Sequence, residues 1–232
     1  MASLTGNIAA YLGDSFRVFL FPATTIREAA DRNLPWGQIV GVAVFLVMAI
    51  NVVDWAAFRL IQSVDETLVT PLDIGMATGI LTFLVWPIVY IFVSGAILFG
   101  LTKAMAGQGT ARHLYSAFLV LVGFTLATTV LRFLLVLFMW WRVDNTMGGS
   151  PEPLSMLFLL LQIGPVVASC ILLSYAILTS RFGGVLGYGR AILAAFAHLV
   201  VLVAFDMFRG EVLLGGSSRS PVDIMSTLYR VI

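Results

Sequence analysis

Charge, cysteine, lysine and histidine are all scarce in these 232 residues, and each scarcity excludes something. A single cysteine, Cys170, cannot close an internal disulfide. It lies in an apolar stretch, where a thiol serves as a small hydrophobe. Only 11% of residues are charged, against about 25% in an ordinary soluble domain. The net charge of +1 offers no basic face for nucleic acid. Of the two histidines, His113 falls in a loop, and His198 has no second histidine at metal-ligand spacing. A phosphate-binding glycine loop, a nucleophile elbow and a His-Glu metalloprotease helix are missing. With no activated nucleophile or base–partner pair, the reading is non-catalytic, with no cofactor and no metal. Residues 1–16 have no basic n-region and no following h-region, so no cleavable signal is expected.

What the chain has is apolar length. Hydrophobic residues make up 60% of it. Five stretches stand out, at about Gln38–Leu60, Ile74–Leu101, Leu114–Trp140, Leu154–Leu178 and Ala191–Phe208. About 20 apolar residues in a helix cross a hydrocarbon core of about 30 Å. Soluble helices are seldom apolar on every side over such lengths. The expected fold is all-α: a polytopic membrane bundle of five transmembrane helices over 38–208. An N-terminal amphipathic segment, 1–37, precedes it, and a tail, 209–232, follows.

Ile8, Tyr11, Leu12, Phe16, Phe19 and Leu20 recur at helical spacing up to Pro22. That pattern predicts a short helix along the membrane interface, apolar face down. Thr25 with Glu28 three residues later fits a capping box for a second short helix through Arg32. Leu34-Pro35-Trp36-Gly37 then leads into the first span, with Trp36 at headgroup level.

Basic residues favour one side of the bundle. Arg17, Arg27, Arg32, Lys103, Arg112, Arg181 and Arg190 flank the N-terminal side, and Arg59, Arg142, Arg209, Arg219 and Arg230 the other. Because Lys and Arg set orientation, the expected topology is N-terminus inside and C-terminus outside. Spans two and four also look alike. Trp86-Pro87 and Gly164-Pro165 sit near their middles, and glycine-bearing turns follow at Gly107–Arg112 and Gly187–Arg190. Pro87 and Pro165 are therefore expected helix kinks, covered by neighbouring helices. Paired interruptions of this kind also occur at transporter binding sites.

Three full charges fall within the spans: Asp54, with Asn51 on the same face, Arg132 and Asp206. A lone charge in a span is costly, so the three are expected to face inward and pair. They form either an ion-pair clamp that fixes packing or a proton or ligand site using the spare carboxylate. Asp54 and Asp206 are also near enough to span ends to reach the interface. His198 reads as a packed, hydrogen-bonded interior histidine.

The layout resembles the Yip1-like membrane proteins. The resemblance rests on Phe16-Arg17-Val18-Phe19-Leu20-Phe21-Pro22, Arg27-Glu28 and Pro35 before span one. It also rests on Lys103–Thr110, followed by Tyr115-Ser116-Ala117-Phe118. The resemblance implies five spans with a proline-containing amphipathic approach. Eukaryotic members have a long cytosolic N-terminal region and contact prenylated Rab GTPases, whereas here only about 37 residues precede span one. With one Lys against twelve Arg, the chain looks more like a prokaryotic member in a cytoplasmic membrane. Two functions follow. One is a non-catalytic protein that scaffolds, organises the membrane or docks partners, with the bilayer, other membrane proteins or its own copies as partners. The other is a small transporter or channel-like subunit using Asp54, Arg132 and Asp206 with the proline-kinked helices.

Overall fold

The computed structural model describes residues 3–62, 85–145, 167 and 170–213. Among these residues the chain is all-helical. In order come α1 (Leu4–Arg17), α2 (Pro22–Arg32), α3 (Trp36–Gln62), α4 (Trp86–Ala104), α5 (Ala111–Asn145), α6 (Cys170–Phe182) and α7 (Tyr188–Leu213). Three helices are long and apolar enough to cross a membrane: Trp36–Ala57, Trp86–Ala104 and Ala111–Phe138. The chain is accordingly a membrane protein. Cys170–Phe182 and Tyr188–Ala204 are shorter apolar helices. Parts of expected spans two and four, with Pro165, lie outside the described residues, as do residues 214–232. Pro87 stands in the first turn of α4, where a missing N–H removes no bond within that helix.

Local chemistry accounts for the element ends. Ser3 caps α1, its hydroxyl accepting from Gly6 N at 3.1 Å. Pro22 starts α2 with its backbone angle already helical, so the helix begins earlier than a Thr25 cap would place it. The capping-box expectation is corrected on this point. Thr25 lies within α2, and its hydroxyl donates back to Phe21 O at 2.7 Å. Asn33 ends α2 in the left-handed region (φ 43°), which asparagine tolerates. Thr110 caps α5, its hydroxyl accepting from His113 N.

The helix α5 is the central element. After its first residues, three turns of it, Leu114–Phe124, are buried on every side. Around it pack α1, α2, α3 and α4, while α4 also packs on α7. The helices α3 and α5 run parallel in a steady register. The Trp36 and Tyr115 rings meet at 5.2 Å near their starts, and Asp54 meets Arg132 towards their ends. Trp36 and Asp54 are separated by about 27 Å along the helix, at 1.5 Å per residue. That is close to the thickness of a hydrocarbon core.

Candidate functional site

The helix α1 turns its polar stripe inward. Asn7, Tyr11, Asp14 and Ser15 are its buried residues, on one face at helical spacing. Each finds a partner, as buried polar groups must. Asn7 Nδ2 donates to Gln38 Oε1 at 2.7 Å, and Tyr11 Oη donates to the carbonyl of Ser116 at 2.7 Å. Ser15 returns its hydroxyl hydrogen bond to Tyr11 O. It lies so close to Gly123 that a β-carbon there would strike its hydroxyl. Beyond the helix, Val18 O accepts from Tyr175 Oη at 2.9 Å. Through these bonds α1 touches α3, α5 and α6 in turn.

Two ion pairs clasp α1 to α2. The Asp14 carboxylate, 5% exposed, accepts from Arg32 Nη1 at 2.6 Å, and the Arg32 guanidinium lies over the Tyr11 ring at 5.0 Å. Burial alone would lower the pKa of Arg32, but the hydrogen bond and charge of Asp14 outweigh it and hold the pKa above the ordinary value. Burial pushes the Tyr11 phenol upward, so it stays a neutral donor. Outside this pair, Arg17 grips both carboxylate oxygens of Glu28, a bidentate fork exposed on both sides. Around the α1–α2 turn the outer surface is apolar, with Phe16, Leu20 and Phe21 exposed and Phe19 half-exposed against the Phe124 ring at 4.9 Å; elsewhere on the unit Arg27 and Asp31 are exposed.

The α4–α5 and α6–α7 turns meet at one end of the bundle. Ala106 and Val185 both adopt positive φ (62° and 54°), so the two turns leave their helices by the same left-handed step. Gly109 N donates to Gly184 O at 3.1 Å. A β-carbon on Gly109 would run into the Gly183 carbonyl, so the close approach requires glycine. Further into the bundle, His198 Nε2 lies 3.0 Å from both the hydroxyl and the carbonyl oxygen of Ser94. A carbonyl only accepts, so Nε2 carries the proton and donates. His198 is buried, joins α7 to α4, and presents its ring edge-on to Phe118.

The residues singled out for their charge are distributed as follows. Arg132 Nη2 donates to Asp54 Oδ1 at 3.2 Å, and both side chains are more than 40% exposed. Asn51 spends one amide hydrogen on Val47 O of its own helix. Asp206 belongs to α7, but its side chain lies outside the described residues. Cys170 is exposed. Among the described residues, no group of three or more His, Cys, Asp or Glu is placed to hold a metal ion.

Reading the sequence for charges inside spans missed both ion pairs of the clasp. The available signal was the stripe Asn7, Tyr11, Asp14, Ser15, polar on the face opposite Phe16 and Leu20. Comparison with known proteins adds no relative: no family model, curated protein or solved structure matches the chain.

Proposed function

We propose that this chain is a non-catalytic, multi-pass membrane protein of Yip1-like layout that organises the membrane or docks partners through its N-terminal helices. In this reading the five apolar stretches are five spans, the N-terminus is inside, and the membrane is the cytoplasmic membrane of a prokaryote. The observation that carries it is the clasped pair α1–α2. The polar stripe of α1 is spent on the bundle, while Phe16, Leu20 and Phe21, at its end and in the turn that follows, are exposed. A helix with that inversion suits a lipid boundary, where apolar side chains face acyl chains and the polar face finds protein. The pairing of Arg132 with Asp54 favours a structural use of these charges over a transport site.

Three measurements test the reading. With Phe16→Trp, brominated lipids should quench the indole in proteoliposomes; an unquenched, water-exposed indole overturns the interfacial helix. The same vesicles should pass no solute or protons above protein-free vesicles. Flux abolished by Asp54→Asn would favour a transporter. A reporter fused after Ile232 should read as outside, and a cytoplasmic signal refutes the five-span topology.

A further inference from the structure

We propose that the α4–α5 and α6–α7 turns form a binding site for the headgroup of an anionic phospholipid, held by Lys103 and Arg190. The proposal rests on the reading that this end of the bundle lies at a membrane surface. Lys103 Nζ donates to Gly107 O at 3.1 Å, and Arg190 Nη1 donates to Met105 O at 3.3 Å. Two cations from two helices are thus anchored on carbonyls two residues apart in one turn. Both side chains are exposed. Each uses one donor on its carbonyl, which leaves an ammonium with two N–H groups and a guanidinium with four. Arg181 stands nearby, stacked 3.3 Å from the centroid of the Tyr188 ring, with Tyr188 two residues before Arg190.

Charge decides the class of ligand. Among the described residues, neither Lys103 nor Arg190 has a carboxylate within ion-pair distance. The sequence has no Asp or Glu from Trp86 to Val143, or from Cys170 to Phe205. On the N-terminal helices, Asp14 and Glu28 are taken by Arg32 and Arg17, leaving Asp31 exposed. A phosphodiester therefore meets two preset cations, while the ammonium of a zwitterionic headgroup meets no carboxylate and is repelled. Anionic headgroups are the ligand that such basic sites between membrane helices select. The acyl chains also have a path. Leu193, Phe196 and Val200 are exposed along one face of α7 that starts a turn beyond Arg190.

The test uses the full chain in nanodiscs, titrating phosphatidylglycerol against phosphatidylcholine and reading bound lipid by native mass spectrometry. Wild type should prefer phosphatidylglycerol. Lys103→Gln with Arg190→Gln should lose that preference by about fivefold per cation removed. Arg59→Gln, at the far end of α3, should keep it. Equal binding of the two lipids by wild type, or an unchanged preference in the double variant, overturns the site and leaves the membrane reading standing. A wild-type chain that fails to enter nanodiscs overturns both. Should the double variant fail to fold, a photoactivatable phosphatidylglycerol headgroup on wild type decides the matter. Labelling of residues 103–107 and 188–193 supports the site, and labelling elsewhere refutes it. Glycerol phosphate serves as the lipid-free arm; if it competes as well as the lipid does, the site binds soluble phosphate instead.

Discussion

Asp14 and Arg32 meet at 2.6 Å across two helices, with the carboxylate almost wholly buried and the guanidinium only 25% exposed. The two residues are 18 positions apart, and the turn at Val18–Phe21 folds α2 back to bring them together. Removing one partner should cost more than removing both, because a single deletion strands a buried charge. Arg32→Leu should destabilise by about 2–4 kcal/mol, and Asp14→Asn in the same chain should restore part of that. Melting curves in detergent for the two single variants and the double variant give the coupling; strict additivity would show no interaction.

The outer pair, Arg17 with Glu28, should respond to pH. The hydrogen bond from Arg17 lowers the Glu28 pKa from its ordinary value. A depressed carboxylate contributes stability that is complete above its unfolded pKa and fades as pH falls through the folded one. The clasp should therefore hold at neutral pH and loosen only below the ordinary glutamate range, about pH 4. Because the pair is exposed, salt should weaken it as well. Hydrogen exchange of α2 amides against pH should show the step, and Glu28→Gln should remove it.

Glycines in different surroundings should respond oppositely to alanine. Gly109→Ala drives a methyl into the Gly183 carbonyl and should cost about 1–3 kcal/mol, since backbone on both sides must shift. Gly100→Ala meets nothing within 4 Å and should be neutral or slightly stabilising in its helix. Thermal stability of the two variants, side by side, checks the contrast.

The link between α7 and α4 should depend more on the histidine than on the serine. In Ser94→Ala the backbone carbonyl still accepts from His198 Nε2, so the loss should stay under about 1 kcal/mol. His198→Leu removes the donor to both Ser94 oxygens and should cost about 1–3 kcal/mol. Equal losses in a denaturation assay would mean that the carbonyl bond contributes nothing.

The Arg132–Asp54 pair sits three residues from the end of the apolar run Trp36–Ala57. A place so near the end of that run is close to the bilayer boundary, where stranding a charge costs less than at the centre. Arg132→Leu should lower the melting temperature modestly, and Asp54→Asn should rescue part of the loss. A double variant whose loss equals the sum of the single losses would remove the case for direct pairing.

The sequence by itself determined the helical class and the membrane, because apolar length over 20 residues leaves few other solutions. It marked Trp36, Pro35 and the glycine turns as boundaries, because proline and glycine act on the backbone locally. It also brought out Asp54 and Arg132, since charges within apolar runs are conspicuous. Tertiary structure decided the rest. A helical stripe shows which residues share a face but not which face turns inward, and the inward face of α1 is the polar one. Three arginines and three acids precede span one. Only the fold-back of α2 over α1 pairs Asp14 with Arg32 and Glu28 with Arg17, because both pairings bridge separate helices rather than one helix turn. Ser94 and His198 lie 104 residues apart, so their meeting exists only once α4 and α7 pack.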